Sequence, residues 1–441
     1  MINHENQRPI STGVKMLDIK FIRENPELVK QGIINKNEKN NTVDEILELD
    51  GKRRSLLTNV EEKKAQKNKV SAEVGKLKKA GENADEIVAE MKQLGEDIKV
   101  LDEEVRTVDK KLTDLQMWVP NLPHSSVPVG KDETSNIETK QWLPEGFSFE
   151  NDGPILDHVE LGKKLNILDF ERGAKITGSG FPVYLGKGAR LERALINFML
   201  DYHIDKHGYK EIIPPLFVNA ESMRGTGQLP KMADDMYHAE KDDLYAIPTA
   251  EVPITNMHRS EILSEDDLPI NYTGYTPCFR REAGSYGADS KGFLRTHQFN
   301  KVEMVKFVEP DNSYDELNNL VSDVEDILHE LKIPYRILEL CTGDLSFAAA
   351  KCFDIETWSP AEDKWLEASS CSNFESFQAR RAKIRYKKKD EKKAEFIHTL
   401  NGSGLATSRL MVSILENYQT PEGKIIVPKV LQKYTGFEII D

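Results

Sequence analysis

The sequence predicts an α+β protein in which an antiparallel α-helical coiled-coil arm precedes a domain of short helices and strands. Two long runs with a heptad apolar period lie within the first 116 residues. Beyond about residue 150 the period disappears, and short segments with scattered β-branched residues follow. A chain of 441 residues is too long for one ordinary domain and suits two or three.

The composition excludes several classes of protein. Asp and Glu outnumber Lys and Arg by 74 to 60, a net charge of -14, which argues against indiscriminate nucleic-acid binding. No run of about 18 apolar residues is present to span a membrane, and the opening MINHENQRPISTGVK lacks the apolar stretch of a secretory signal. We therefore expect no membrane contact. The four cysteines lack the paired spacing of a zinc site, so we expect reduced thiols and no zinc.

The arm follows a short helix that Asn25 is expected to cap, with Pro26 in its first turn. Gly81 and Asn83 separate the two heptad runs, where the chain must reverse. The spacing predicts a coiled-coil hairpin over about residues 42–116. Its seam residues alternate in steps of three and four: Ile46, Leu49, Arg53, Leu56, Val60, Lys63, Lys67, Val70, Val74 and Leu77, then Ile87, Met91, Leu94, Ile98, Leu101, Val105, Val108, Leu112 and Leu115.

The two helices of the hairpin differ in charge. Residues 51–80 hold ten basic and three acidic side chains, a net of +7, whereas residues 81–115 hold five and eleven, a net of -6. Pairing of opposite charges across the hairpin explains this pattern by itself. A basic face that meets a polyanion explains it equally, and an arm that projects from a globular body favours recognition of structured RNA by shape.

Prolines at 120, 123 and 128 end the helical region. We predict a disordered N-terminal extension over residues 1–15, followed by an arm domain over residues 16–125 and a second domain over residues 126–441. Common nucleotide motifs are absent from that second domain, because the glycine-rich segment 178–188 fails the P-loop pattern and no G-x-G-x-x-G follows a strand.

Three segments carry candidate chemistry. In the first, Arg280 and Glu282 would share one face of a strand, and the return strand would present Phe299 and Glu303 on that face. A charged solvent face is one interpretation of this alternation. A nucleotide site, with an arginine for phosphate and an aromatic ring for the base, is the other.

The second segment, residues 399–419, is interpreted as small residues that open an apolar helix whose second turn carries Arg409. The third contains Glu367, Ser369 and Ser370. Their hard oxygen atoms suit Mg²⁺ beside phosphates, although a helix N-cap is the alternative role for a serine pair.

These segments, in this order and together with the arm, resemble the class II aminoacyl-tRNA synthetases, and among them the seryl-tRNA synthetases. The resemblance implies an antiparallel β-sheet flanked by helices, joined to the arm, in a cytoplasmic homodimer whose contact includes Pro214 and Pro215. The motifs that carry it are RGTGQLPK (224–231), PTAEVP (248–253), FRREAG (279–284), ELCTGDLSFAAAKCFDIE (339–356) and NGSGLATSR (401–409).

The resemblance also implies the reaction and its nucleotide site. Serine and ATP would give seryl-adenylate and pyrophosphate, and the seryl group would then pass to tRNA(Ser). The catalytic residues would be Arg280, which clamps the α-phosphate, Glu282, which reads the adenine amino group, and Arg409, which stacks adenine against Phe299. Mg²⁺ would be held by Glu367 and Ser370. The remaining ATP-binding positions implied are Arg281, Ala368 and Ser369.

For L-serine the resemblance implies a site that contains Thr249, Ala250, Glu251, Glu303 and Ser403. One carboxylate would bind the ammonium group, while Glu303 with Ser403 would bind the hydroxyl. A site that hydrogen-bonds a hydroxyl rejects alanine by roughly 10⁴-fold, whereas threonine must be rejected by pocket size. The arm would recognise the long variable arm of tRNA(Ser). A solvated loop is the expected structure of the basic run 380–393, with acceptor-stem contact the alternative.

Two other functions stay open at this point. Another class II ligase, for threonine, proline or a carrier-protein thiol, would fit less well, because carrier-protein ligases lack the arm. A degenerate homologue that only binds RNA would be expected to have lost site residues. Arg280, Glu303, Glu367 and Arg409 are all present.

Overall fold

The computed structural model describes residues 17–38, 42–150, 153, 155–282 and 291–441. The predicted N-terminal extension and the last two residues of the FRREAG motif, 283 and 284, lie outside the described residues. The chain divides into two compact units, one of residues 17–34 and 38–120 and the other of residues 35–37 and 121–441. The predicted boundary between residues 125 and 126 stays a prediction.

The first unit contains four helices: α1 (Ile19–Glu24), α2 (Pro26–Asn35), α3 (Thr42–Ala80) and α4 (Asp85–Gln116). The two long helices reverse at Gly81, whose φ of 75° lies in the left-handed region that glycine adopts without strain. Asn83 then accepts the backbone N–H of Asp85 at 2.8 Å and so caps the start of α4. At about 1.5 Å per residue, the 39 residues of α3 extend about 58 Å.

The seam of this hairpin is apolar along much of its length. Leu56, Val60, Val70 and Val74 of α3 are buried, as are Leu94, Ile98, Val108 and Leu112 of α4. Charged pairs also cross the hairpin, with Lys63 Nζ 2.7 Å from Asp97 Oδ2 and Lys64 Nζ 3.3 Å from Asp102 Oδ1. Partly exposed pairs of this kind contribute about 0–1 kcal/mol each, so apolar burial holds the hairpin together.

The second unit combines helices with a large sheet. Its helices are α5 (His158–Lys164), α6 (Phe170–Ile176), α7 (Gly186–Asp205), α8 (Ala220–Thr226), α9 (Glu251–Asn256), α10 (Ser313–Leu331), α11 (Phe377–Ala382), α12 (Thr407–Asn417) and α13 (Lys429–Thr435). Its strands are β1 (Ile137–Trp142), β2 (Leu168–Asp169), β3 (Val183–Tyr184), β4 (Lys210–Glu211), β5 (Phe217–Asn219), β6 (His238–Ala239), β7 (Leu244–Ala246), β8 (Ile262–Ser264), β9 (Ile270–Phe279), β10 (Gln298–Val308), β11 (Tyr335–Glu339), β12 (Lys351–Ser359), β13 (Lys364–Asn373), β14 (Arg385–Lys387), β15 (Glu395–Phe396), β16 (His398–Ala406), β17 (Ile425–Ile426) and β18 (Ile439–Ile440).

Eight of these strands form one sheet in the order β1-β11-β12-β13-β16-β10-β9-β4. All neighbours in it are antiparallel except the edge strand β4, which runs parallel to β9. The predicted α+β class with an antiparallel sheet and flanking helices is therefore confirmed. Helices cover one face, where Val302 and Met304 of β10 share an apolar core with Leu320 of α10 and Leu410 of α12.

Three local predictions were wrong, and sheet pairing explains each. Residues 398–406 form β16 instead of opening a helix, so Arg409 lies in the first turn of α12. Ser369 and Ser370 lie within β13, which excludes the N-cap alternative. The basic run 380–393 is only partly loop, because it includes the end of α11 and all of β14. Among the described residues, no helix is long and apolar enough to cross a membrane.

Candidate active site

A cleft of about 560 Å³ opens on the face of the sheet that α10 and α12 do not cover. Strands β10, β13 and β16 supply its floor, and the segment that follows β9 and the start of α12 contribute side chains around it. The sequence-predicted residues that line it are Thr249, Glu251, Arg280, Glu282, Phe299, Glu367, Ala368, Ser370, Ser403 and Arg409. Residues from six separate stretches of sequence are thus brought to one cavity.

Strand β10 places an aromatic ring, a cation and a carboxylate on the cleft side. Phe299, Lys301 and Glu303 alternate with Val302 and Met304, which are buried in the core on the other side. This alternation is the one expected from the sequence. The strand is hydrogen-bonded on both sides, by β9 and by β16, and Glu303 is directly opposite Ser403.

Glu303 is fully buried and accepts several hydrogen bonds. Thr249 Oγ1 donates to its Oε2 at 2.9 Å, and Asn401 Nδ2 donates to its Oε1 at 2.9 Å. Lys301 Nζ forms an ion pair with the same Oε2. Buried carboxylates are stable only when they are paired in this way. The arrangement therefore holds the Glu303 carboxylate in one position at the floor of the cleft.

Glu251 is the second buried carboxylate of this part of the cleft. Gln378 Nε2 donates to its Oε1 at 2.5 Å, and Asn401 Nδ2 lies 3.1 Å from its Oε2. Burial, and secondly the negative charge of Glu303, raises the pKa of Glu251 to about 7. A carboxylate with this pKa changes charge near neutral pH and is stabilised by any cation that enters the cleft.

The other end of the cleft holds arginines and a ring. The Arg280 guanidinium carbon lies 5.1 Å from the centroid of the Phe299 ring, and Arg280 Nε donates to the Pro248 carbonyl at 3.4 Å. Arg409 Nη1 donates to the Glu367 carbonyl at 2.8 Å and lies 3.1 Å from its carboxylate. Planar cations and an aromatic face are suited to phosphate and a nucleobase.

Arg280 and Glu282 reach this cleft by a route that the sequence did not predict. Strand β9 ends at Phe279, so simple strand alternation does not apply to them. Glu282 has a φ of 51°, a left-handed conformation that turns the chain. Its carboxylate accepts from Arg295 Nη1 at 2.9 Å, which fixes its side chain at the cleft.

Glu367 and Ser370 line the cleft together on β13. Behind them lies Asp354 on β12, opposite Ser370 in the strand register. Burial, and secondly the charge of Glu367, raises the pKa of Asp354 well above its usual range. Cys352 Sγ completes this group at 3.1 Å from Ser370 Oγ. The side-chain atoms of Glu367 and Ser370 that could bind a metal are hard oxygen atoms, the kind of ligand that Mg²⁺ prefers.

Four predicted residues are not among the cleft-lining side chains. Glu303 is fully buried at the floor and is not among the residues that line the cavity. Ala250 is fully buried in an apolar cluster, and Arg281 is exposed, with its backbone N–H donating to the Asp235 carbonyl at 2.9 Å. Ser369 Oγ donates to the Ser403 carbonyl at 2.6 Å, so it joins β13 to β16 instead of facing the cavity.

The glycines of the NGSG segment allow close packing of a strand and do not open a helix. A Cβ at Gly402 would lie 2.9 Å from Leu320 Cδ2, and a Cβ at Gly404 would lie 2.5 Å from His203 Nε2. Both glycines therefore allow β16 to pack closely against the helices on the core side. Asn401 and Ser403, which alternate with them, face the cleft.

Several residues of the site were not predicted as functional. Lys301 and Asn401 lie beside predicted residues, and the alternation of β10 was sufficient signal for Lys301. Nothing in the sequence indicated Gln378 or Arg295. Gln378 contacts Glu251, 127 residues away, and Arg295 contacts Glu282, 13 residues away, and the sequence did not predict that these segments would meet. Among the described residues, no group of three or more His, Cys, Asp or Glu side chains is placed to hold a metal ion.

An antiparallel sheet that carries an arginine- and carboxylate-lined cleft on its open face is the catalytic core of class II aminoacyl-tRNA synthetases. Residues 235–418 match the family model of the class II tRNA synthetase core domain (G, H, P, S and T). Residues 16–123 match that of the seryl-tRNA synthetase N-terminal domain. The chain belongs to the seryl-tRNA synthetase family, as the predicted resemblance implied.

Similar proteins agree with this assignment over 96–97% of the chain. A serine–tRNA ligase of Chloroherpeton thalassium is 59% identical over 96% of this chain and 100% of its own length. The crystal structure of seryl-tRNA synthetase from Pyrococcus horikoshii complexed with ATP has a TM-score of 0.91 and 42% identity, and covers 96% of this chain and 99% of its own. Cytoplasmic serine–tRNA ligase from Naegleria fowleri in complex with AMP has a TM-score of 0.86 and 31% identity, with coverage of 97% and 99%.

Proposed function

We propose that this chain is an ATP-dependent ligase that attaches L-serine to tRNA(Ser). Serine and ATP give seryl-adenylate and pyrophosphate, and the seryl group then passes to the terminal ribose of the tRNA with release of AMP. The observation that carries the proposal is the cleft itself. It joins an arginine-rich end with an aromatic ring to an end with two buried carboxylates.

Formation of the adenylate requires attack by the serine carboxylate on the α-phosphate. Two negative groups must approach each other, so neutralisation and positioning matter more than a general base. Arg280 is the residue that we assign to the α-phosphate, since its guanidinium lies at the nucleotide end beside Phe299. Phe299 and Arg409 are assigned to the two faces of adenine, and Glu282 to its amino group.

The opposite end of the cleft is assigned to serine. Thr249, Glu251, Glu303 and Ser403 would surround the amino acid, and Asn401 joins the two carboxylates by donating to both. Glu251 is assigned to the ammonium group, and Glu303 with Ser403 to the hydroxyl. When alanine binds, Glu303 is left with an unfilled acceptor position, and this penalty is the basis of its rejection.

Mg²⁺ is the metal that fits this cleft. Glu367 and Ser370 would hold it, since their oxygen atoms line the cavity beside Arg409. Two protein ligands are sufficient, because Mg²⁺ commonly keeps several waters and binds substrate phosphates. When bound, the ion would neutralise phosphate charge during adenylate formation.

The helical arm is assigned to the tRNA. The exposed basic side chains of α3 would contact the phosphate backbone, and the long variable arm of tRNA(Ser) would be recognised by shape. Cross-helix pairs engage some of the lysines, including Lys63 and Lys64. Others, such as Lys69, Lys76 and Lys79, remain exposed for such a contact.

We further infer a cytoplasmic homodimer. Ile213, Leu216 and Phe217 follow the edge strand β4 and expose 87%, 37% and 53% of their surface. A cluster of exposed apolar residues at a sheet edge is suited to protein association. This segment includes Pro214 and Pro215, to which the family resemblance assigned the dimer contact.

The test is amino-acid-dependent ATP–pyrophosphate exchange with serine, threonine, alanine and cysteine in parallel. Exchange with serine far above the others is expected. No exchange with any of the four from a folded protein would contradict the proposal and favour an RNA-binding protein without catalysis. Strong exchange with threonine or another amino acid would indicate a different class II ligase.

Arg280→Ala tests the catalytic assignment within the same assay. Loss of preorganised charge at the α-phosphate should lower serine-dependent exchange by about 10²- to 10³-fold. Binding of tRNA(Ser) should stay near that of the unchanged protein. The matched control is Arg259→Ala, since Arg259 pairs with Glu221 outside the cleft. Combined loss of exchange and tRNA binding in Arg280→Ala would count against the assigned role.

Deletion of residues 45–115 tests the arm. Serine-dependent exchange should persist, which also demonstrates that the shortened protein is folded, while charging of tRNA(Ser) should disappear. Retained charging would refute the proposed recognition by the arm.

A further inference from the structure

Lys301 is a buried cation at the centre of the site that the proposed function does not use. It is only 5% exposed, lines the cleft, and lies two residues from Phe299 and two from Glu303 on the same side of β10. Long cationic side chains are rarely buried without a specific partner. The partner here is Glu303, through the ion pair between Lys301 Nζ and Glu303 Oε2.

The two buried carboxylates of the cleft differ in the donors that they receive. Glu303 accepts from Thr249, from Asn401 and from the Lys301 ammonium. Glu251 accepts from the side-chain amides of Gln378 and Asn401, and no ion pair to it is found in the part of the chain that the structure describes. One carboxylate is thus already neutralised, and the other has neutral donors only.

Most hydrogen-bond acceptor positions of the Glu303 carboxylate are occupied. A carboxylate offers about four acceptor positions. Three are occupied, two on Oε2 and one on Oε1, so one position on Oε1 remains. This geometry suits a single hydroxyl donor, whereas an ammonium group would bring a second positive charge beside Lys301.

We propose that Lys301 is a specificity-determining residue that assigns the two carboxylates their roles. By forming an ion pair with Glu303, Lys301 compensates the charge of that carboxylate and leaves it as a hydroxyl acceptor. The substrate ammonium is thereby directed to Glu251, the carboxylate with which the described residues form no ion pair. This inference rests on the proposed function, in which the substrate carries one ammonium and one hydroxyl.

Removal of Lys301 should therefore weaken discrimination between serine and alanine. Without a cation the buried Glu303 bears its full desolvation penalty, and its charged form is disfavoured. A hydroxyl then gains little, because a hydrogen bond to a neutral acceptor is weaker than one to a charged acceptor. Alanine, which has no hydroxyl, should be affected far less than serine.

The experiment uses the full chain and two non-reactive probes, the 5′-O-sulfamoyl analogues of seryl-adenylate and alanyl-adenylate. Calorimetry gives the Kd of each probe for the unchanged protein, Lys301→Met and Lys301→Arg. The ratio of the alanyl Kd to the seryl Kd should fall at least about tenfold in Lys301→Met, and Lys301→Arg should retain most of it. Because both Kd values come from the same preparation, a partly unfolded variant lowers the binding stoichiometry without changing the ratio.

Three results would overturn the inference. Equal weakening of both probes would mean that Lys301 contacts a group that the two share, or merely supports the fold. Unchanged Kd values for both probes would mean that Lys301 has no part in binding or discrimination. Failure of Lys301→Arg to retain the ratio would mean that charge is not the property that matters. A double variant adds a direct check, since Lys301→Met should change the ratio by less than about threefold when Glu303 is already Gln.

Failure of the proposed function would look different. In that case the unchanged protein itself would bind the seryl probe no better than the alanyl probe. A large ratio in the unchanged protein that survives in Lys301→Met would refute the role of Lys301 and leave the proposed function intact.

Discussion

A shift of pH from 8 to 6 should weaken the use of serine through one carboxyl group, Glu251. Burial and the neighbouring Glu303 raise the pKa of Glu251 to about 7. Below that pH the group is mostly protonated, and a neutral carboxyl cannot pair with the substrate ammonium. The ammonium group of serine itself stays protonated across this range, so the change arises on the protein.

The magnitude follows from the ionised fraction. With a pKa of about 7, Glu251 is about nine tenths ionised at pH 8 and about one tenth ionised at pH 6. The kcat/KM for serine reports the free protein, so it should fall about tenfold between these two pH values. At saturating serine the bound ammonium favours the ionised carboxylate, so kcat should change much less.

The assay is serine-dependent pyrophosphate exchange at saturating Mg-ATP, measured from pH 6 to 8. Glu192→Gln is the matched control, because burial also raises the pKa of Glu192 to about 7 although its carboxylate is bound by Asn300 and Thr407 on the core side. The Glu192→Gln control should retain the tenfold change of kcat/KM between pH 6 and pH 8. Glu251→Gln should be less active, and its kcat/KM should not change with pH in this range. A flat profile in the unchanged protein, or a slope that Glu192→Gln removes, would refute the assignment to Glu251.

Two further predictions concern stability. The raised pKa of Glu192 means that the folded chain holds a proton that the unfolded chain releases above about pH 4.5, so folding loses up to about 3 kcal/mol as pH rises from about 4.5 to about 7. Thermal melts should therefore favour Glu192→Gln over the unchanged protein increasingly between pH 5 and 7, and a constant difference over this range would contradict this. In the arm, Leu94→Ala removes a buried seam side chain and should destabilise the hairpin by about 2–3 kcal/mol, seen as faster amide exchange in α3 and α4. Serine-dependent exchange should not change, and its loss would argue against independent action of the two units.

Local pattern was sufficient to predict the arm and strand β10 of the cleft floor. The heptad period depends on contacts between two adjacent helices, so the turn at Gly81 and Asn83 could be read directly. The alternation of Phe299, Lys301 and Glu303 with Val302 and Met304 likewise follows from one strand with one buried face. In both cases the information lies within a short stretch of sequence.

Long-range pairing decided the parts that the sequence did not predict. Small residues at 401–404 are compatible with a helix start or a strand, and pairing with β10 and β13 makes them a strand. Ser369 and Ser370 are strand residues for the same reason. The hydrogen bond from Gln378 to Glu251 joins residues 127 apart, and nothing in either segment indicates the other. Such contacts depend on the tertiary fold.

Strand β10 fixes the spacing between the two ends of the cleft. Successive cleft-facing positions on a strand are about 6.6–6.8 Å apart, so the ring of Phe299 and the carboxylate of Glu303 are separated by two such steps. The strand is paired along both edges, and a slip of one residue would turn the apolar Val302 and Met304 into the cleft. The distance between the two ends of the cleft is therefore set by the backbone. Lys301 lies at the intermediate step, between Phe299 and Glu303. In our proposal its ion pair with Glu303 determines which carboxylate receives the ammonium and which receives the hydroxyl of the substrate.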